Sequence, residues 1–191
     1  RTEDHAGVIG HHAGHLPLWS FCSHTPYTRP GTRLRALVAQ VRREDSDMLG
    51  QLHALSAAIL DHVAYEPGHT GVETTAEQAF ETGRGVCQDH AHIFIGAARL
   101  LGIPARYVSG YLMMDDRVEQ EATHAWAEAH IAGLGWVGFD VSNGISPDAR
   151  YIRVATGRDY REAAPITGIS FGGIEEDLHV HLAVERQCGQ Q

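Results

Sequence analysis

The residue in this chain best placed to act as a nucleophile is Cys87, in the run Gly83-Arg-Gly-Val-Cys87 that opens an apolar stretch. A cysteine in the first turn of a helix meets unpaired backbone N–H groups and the positive end of the helix dipole, and both favour its thiolate. Gly83 and Gly85 let the chain approach closely and leave the sulfur accessible. A free cysteine is otherwise a small buried hydrophobe, so the local context leaves both readings open. A nucleophilic thiol also needs a base, and the base needs a group to orient it.

Downstream lies His124-Ala-Trp-Ala-Glu-Ala-His-Ile131, then Ala-Gly-Leu, then Gly135-Trp-Val-Gly-Phe-Asp140-Val141. A hairpin with a three-residue loop over 132–134 sets Ile131 opposite Gly135 and Asp140 opposite Trp126. His124 is then a diagonal neighbour of Asp140, about 7–8 Å away between backbones and within side-chain reach. The same register gathers Ala125, Ala127, Ala129, Ile131, Val137, Phe139 and Val141 on the other face, which is uniformly apolar. A two- or four-residue loop without a bulge puts His124 and Asp140 on opposite faces, so the hydrophobic pattern selects the register that pairs them. In that arrangement His124 takes the thiol proton and returns it to a leaving group, and Asp140 fixes the tautomer of the ring. The N–H of Cys87 is one oxyanion donor, and Tyr65 is a candidate for the second.

These groups must be held by the surrounding elements. Leu34, Leu37, Val38 and Val41 share one helical face, and Leu49, Leu52, Leu55, Ile59 and Val63 share another, with Ser46 as the expected cap between them. Thr75 and Gln78 have capping-box spacing, predicting a short helix over 76–82 that stops at Gly83. The stretch from Cys87 to Leu101 is apolar nearly all round, as a buried central helix requires, and Gly102 and Pro104 end it. From Ala105 the period falls to two. Strands are expected over 106–112, 124–131, 136–141, 151–155, 166–171 and 178–185. Helices followed by an antiparallel sheet define an α+β domain. Residues 1–31 read as an irregular lead-in with one short strand, and residues 32–191 as the catalytic core.

The 191 residues are 43% hydrophobic and 20% charged, which suits one globular domain with a sizeable core. A net charge of −9 argues against a nucleic-acid or anionic-membrane surface and toward neutral or basic partners. No apolar run reaches the roughly 18 to 20 residues of a membrane span. Three cysteines at unrelated spacings are expected as free thiols in a reducing compartment, with the cytoplasm as the default. All 15 basic residues are arginine. No lysine ε-amine is therefore available within these residues for self-cross-linking.

Four ordered motifs now carry a resemblance: Gly85-Val-Cys87-Gln-Asp-His-Ala-His, Leu-Gly102-Ile-Pro-Ala-Arg106-Tyr-Val-Ser-Gly-Tyr111, His124-Ala-Trp-Ala-Glu128 and Gly135-Trp-Val-Gly-Phe-Asp140. Together with Gly157-Arg-Asp-Tyr160 and Ala164-Pro-Ile-Thr-Gly168 they resemble the bacterial transglutaminase-like superfamily over roughly residues 45 to 175. The resemblance implies a papain-like fold with a Cys-His-Asp triad, matched by Cys87, His124 and Asp140. It also implies that the lead-in is the tail of an N-terminal β-rich region. The expected activity is cysteine-dependent acyl transfer through a thioester, with hydrolysis of peptide or related amide bonds preferred. True transglutamination and a non-catalytic interaction module are the alternatives. The expected partner is a peptide or protein bearing an amide acyl donor.

Other residues weigh less. His90 follows Cys87 by three positions, but a base on the same rigid helix is poorly placed to serve both nucleophile and leaving group. Asp89 suits the helix N-terminus. Trp126 and Trp136 share the face of His124 and can either wall a cleft or simply pack. His5, His11, His12 and His15, and the alternating His179 and His181, lack partners at metal-ligand spacing, so no metal is expected. Cys22 and Cys188 lack a helix-start context. No nucleotide motif appears, and no cofactor is expected.

Overall fold

A computed structural model of the chain describes residues 7–10, 16–42, 47–113, 119–120, 123–164 and 182–183. The order is β1 (Val8–Gly10), α1 (Thr32–Val41), α2 (Met48–His62), β2 (Ala64–Tyr65), α3 (Ala76–Thr82), β3 (Arg84–Gly85), α4 (Cys87–Leu100), β4 (Ala105–Leu112), β5 (Glu119–Gln120), β6 (His124–Ile131), β7 (Gly135–Phe139), β8 (Tyr151–Gly157), α5 (Tyr160–Ala163) and β9 (Leu182–Ala183). A short 3₁₀ turn, Leu18–Cys22, precedes α1. The fold is α+β, with helices packed against an antiparallel sheet in the order β1-β7-β6-β4-β8.

α4 is the axis of the core. Its side chains from Asp89 to Arg99 are all buried, and Ile93, Phe94 and Ile95 have no exposed surface. Phe94 stacks on Phe139 of β7 at 4.8 Å between ring centroids. Burying each such ring stabilises the fold by about 1.5–3 kcal/mol. The face of β6 and β7 turned toward the helices carries Ala125, Ala127, Ala129, Ile131, Val137 and Phe139, all in the same core as α4. Alanines there leave room for the bulky helix residues, so the sheet and α4 lie close together.

Two helix starts are held by carboxylates, one local and one distant in sequence. The cap of α2 is Asp47, whose carboxylate accepts from the Gly50 N–H at 2.6 Å. The expected cap, Ser46, lies outside the described residues. α1 begins at Thr32 after Gly31, which has no capping side chain. Glu77 of α3 supplies the acceptor from across the fold, taking the N–H groups of Gly31 (2.8 Å), Arg33 (2.8 Å) and Leu34 (3.2 Å). A carboxylate at the positive end of a helix dipole is favourable there.

The capping box at Thr75 and Gln78 forms as expected, and Gly83 ends α3 at φ 68°, a left-handed conformation that glycine adopts without strain. The lead-in is tied into the sheet, because β1 pairs antiparallel with β7. It also enters the core, since Phe21 and Tyr27 are buried. The expected strand over 166–171, the histidines 5, 11, 12, 15, 179 and 181, and Cys188 lie outside the described residues. Of the strand expected over 178–185, the described part is β9, which pairs with β5. Among the described residues no helix is long and apolar enough to cross a membrane.

Candidate active site

Cys87 is the first residue of α4, and four contacts set the direction of its approach. β2 and β3 pair in parallel, with Tyr65 beside Gly85. The Glu66 N–H donates to the Gly85 carbonyl at 2.9 Å. Asp89 accepts from the Val86 N–H at 2.8 Å and from the Thr70 hydroxyl at 2.6 Å, holding the first turn of α4 closed. Burial raises the Asp89 carboxyl, and these two hydrogen bonds pull the other way.

The β6–β7 hairpin has the register its alternation predicts, with Ile131 opposite Gly135 and Ala127 opposite Phe139. His124 Nε2 lies 2.6 Å from Asp140 Oδ2, leaving Nδ1 as the ring nitrogen for a second partner. Burial alone lowers the His124 pKa. Hydrogen bonds with Asp140 and Cys87, and the charges of both, outweigh it and raise the pKa to about 9. The structure thus brings Cys87, His124 and Asp140 together.

Asp140 has no exposed surface, and its carboxylate serves four donors. Besides His124, Oδ2 accepts from Asn143 Nδ2 (2.6 Å) and the Tyr151 hydroxyl (2.7 Å), and Oδ1 accepts from the Asn143 N–H (3.3 Å). Burial pushes the Asp140 carboxyl up, but bonds from His124, Asn143 and Tyr151 hold it below the usual carboxylate range. In return, burial and the Asp140 bond push the Tyr151 phenol far up, so it remains a donor. Asn143 and Tyr151 were not foreseen. Asn143 follows Asp140 by three residues in a turn closed by the Asp140–Ile145 bridge, and Asp-x-x-Asn before Gly144 is its one local signal.

Trp126 walls the site, with its ring 6.2 Å from His124 and 5.4 Å from Tyr151. Its indole lies over Gly110 of β4, whose partner across the ladder is His124. A Cβ at Gly110 would stand 2.0 Å from the Ile152 carbonyl and 2.7 Å from the Trp126 ring. Gly110→Ala is therefore expected to cost about 1–3 kcal/mol by overpacking. By tilting Trp126 against His124 it should also lower kcat/KM at least tenfold, about 1.4 kcal/mol of barrier. Urea denaturation and turnover measured on one preparation check both effects.

Trp136 packs elsewhere, under the Arg106 guanidinium at 3.9 Å and edge-on to Phe21 at 5.3 Å. His90 is fixed by both nitrogens: Nε2 donates to the Val63 carbonyl (3.0 Å), so Nδ1 accepts from the Ser142 hydroxyl (2.9 Å). Burial lowers its pKa, consistent with that neutral ring. Tyr65 is half exposed at the edge of the site, where burial and then the charges of Cys87 and Asp140 raise its pKa. Cys22 and Cys87 are both free thiols, and the Cys22 sulfur has only a weak contact to the Leu18 carbonyl at 3.9 Å.

A cysteine opening a buried helix, packed on an antiparallel sheet that carries a His–Asp pair, is an arrangement shared with papain-like thiol enzymes. The chain belongs to the transglutaminase-like superfamily, whose profile matches residues 35–141. An uncharacterized protein of Mycobacterium leprae is 35% identical over 167 residues, covering 85% of this chain and 59% of that protein. A protein-glutamine gamma-glutamyltransferase of Pseudomonas aeruginosa is 28% identical over 160 residues, covering 74% of this chain and 23% of the relative. The crystal structure of a candidate cysteine protease from Cytophaga hutchinsonii superposes with a TM-score of 0.67 at 30% identity, over 77% of this chain and 49% of that one. The chain thus spans less than two thirds of the relatives it matches.

Proposed function

We propose that the chain is a cysteine-dependent acyl-transfer enzyme that hydrolyses peptide or related amide bonds, with Cys87 as nucleophile, His124 as acid and base, and Asp140 as the group that orients His124. The observation that carries this reading is the 2.6 Å His124–Asp140 bond, formed where the Cys87 side chain also acts on the ring. The Cys87 thiolate attacks the amide carbonyl carbon, and the resulting oxyanion is met by the Cys87 N–H, with Tyr65 as the candidate second donor. As the C–N bond breaks, His124 gives its proton to the departing amine or ammonia, leaving a thioester on Cys87. Water then attacks the thioester, His124 accepts its proton, and the acid leaves as the C–S bond breaks.

A second reading replaces water by a primary amine and makes a new amide. The similarity to a gamma-glutamyltransferase favours it. A panel of amide donors, offered with and without a fluorescent primary amine, separates the two. Release of acid or ammonia without amine incorporation supports hydrolysis, and incorporation supports transfer. Neither product should form with Cys87→Ala. The absence of lysine keeps this assay clean, because these 191 residues offer no lysine amine as a competing acceptor.

A thiol poised for catalysis should also stand out chemically. Iodoacetamide near neutral pH is expected to label Cys87 at least about tenfold faster than Cys22, in line with the reactivity of thiols at helix N-termini beside an imidazole. His124→Ala should narrow that gap. Equal labelling in the native protein, read by peptide mass spectrometry, would point instead to a non-catalytic module on the same scaffold.

A further inference from the structure

The sheet face that carries His124 continues into a cavity of about 370 Å³ that the proposed chemistry does not use. Trp126 and Tyr151 form its end nearest the active site, Val8 of the lead-in and Pro147 line it, and Glu128 and Arg153 are polar groups in its wall. Gly110 of β4 is paired with His124 on one side and with Arg153 on the other, so Arg153 lies two strand spacings from His124, roughly 10 Å between backbones. That distance corresponds to about three residues of an extended peptide.

The charges in the wall do not cancel. Glu128 has no exposed surface and faces two guanidinium groups: Arg106, by Nε at 2.7 Å and Nη2 at 2.6 Å, and Arg153, by Nη2 at 2.9 Å. The Arg153 contact is an ion pair by distance, and its angles leave Glu128 Oε1 without a hydrogen bond. Arg106 is buried against the face of Trp136, whereas the Arg153 side chain is 29% exposed. Among the described residues the other carboxylate in the lining is Asp148, which pairs with Arg150 at 2.7 Å. Two arginines against one glutamate leave one positive charge, and Arg153 presents it to the cavity. Most of the net charge of −9 lies more than a Debye length of about 8–10 Å from the cavity and is screened there, so a docked group responds to the local sign.

We propose that this cavity is a specificity subsite for a carboxylate on the acyl-donor substrate, an acidic side chain or a peptide C-terminus about three residues from the reacting amide, held by Arg153. The proposal rests on the acyl-transfer reading for its role, but binding tests it without turnover. The protein for the test is Cys87→Ala, titrated with fluorescent hexapeptides that hold one glutamine and carry Glu, Gln or Arg at each flanking position, as free acids and as C-terminal amides. A carboxylate paired with an arginine predicts that at least one Glu peptide, or one free acid, binds about tenfold more tightly than its neutral counterpart.

Tighter binding by a Glu peptide identifies a side-chain carboxylate, and tighter binding by the free acid alone identifies a C-terminus. Adding Arg153→Gln should erase the preference, and Arg153→Glu should reverse it toward the Arg peptides. The reversal guards against a merely damaged fold. Indistinguishable Glu, Gln and free-acid peptides, or a preference that survives Arg153→Gln, would overturn the subsite. Failure of acyl transfer would appear separately, as wild-type protein that binds these peptides and turns none of them over.

Discussion

Asp140→Asn is expected to lower kcat/KM by about 10³ to 10⁴, the scale on which removing the orienting carboxylate acts in thiol and serine triads. Asp140 Oδ2 receives three donors at 2.6–2.7 Å, from His124, Asn143 and Tyr151. An asparagine offers one acceptor oxygen and turns an amide N–H₂ toward donors that need an acceptor. The His124 ring then loses both its orientation and the charge that keeps it protonated. The sign of the pH effect follows. His124 is charged below its pKa of about 9 and neutral above it. The charged ring is the acid that protonates the leaving group, so acylation by the wild type should fall as pH rises through about 9. Without the Asp140 charge and bond, burial pulls the pKa back toward or below the ordinary value of about 6.5, and the high-pH limb should move down with it. A pH profile of kcat/KM for both proteins is the measurement. An unmoved limb would mean that Asp140 does not hold the His124 proton.

The largest stability effect should come from Arg99, far from the chemistry. Only 4% exposed, it has no carboxylate among its hydrogen-bond partners in the described residues. Its fork donates to the carbonyls of Phe21 (2.8 Å), Ala105 (2.8 Å from Nη2) and Arg158 (2.8 Å), and to the Thr28 hydroxyl (2.9 Å). Burial lowers its pKa to about 10, with the nearby Asp159 charge opposing that shift, so it stays charged at neutral pH. One side chain thus fastens the lead-in, the start of β4 and the approach to α5. Arg99→Met preserves length but takes the guanidinium donors away from three carbonyls and leaves the Thr28 hydroxyl with only Thr25, at an expected cost of about 3–5 kcal/mol. For a domain of this size that is a fall in Tm of roughly 6–20 °C. Arg99→Lys should recover little, because an ammonium cannot span acceptors arranged for a planar fork. A loss below about 1 kcal/mol, the ordinary cost of a point substitution, would show that water replaces the guanidinium.

The parts of the site that were legible in the sequence are those fixed by short-range periodicity. The alternation around Trp126 and Phe139 admits one hairpin register, and that register pairs His124 with Asp140. The all-round apolar run after Cys87 admits little but a buried helix. What sequence could not supply were contacts between strands distant along the chain. Nothing local to Tyr151 shows that β8 lies beside β4 and delivers its hydroxyl to Asp140. Nothing local to Val8 shows that the lead-in becomes a strand of the main sheet. Parity assigned Trp126 and Trp136 to one face, but not their positions along it. Trp136 lies opposite His130, about 13 Å up the strand from Trp126, and so packs away from the site. Adjacent Ser46 and Asp47 are both good caps, and spacing alone does not resolve a one-residue choice.

The Glu77 carboxylate that caps α1 from α3 has a consequence in hydrogen–deuterium exchange. Helix starts ordinarily fray, and their first amides exchange through small local openings. Here the amides of Gly31, Arg33 and Leu34 are bonded to a side chain on another helix. They are released only when α1 and α3 separate. These three protons should therefore exchange together, at a rate set by a larger opening than their place at a chain turn implies, and Glu77→Gln should speed all three at once.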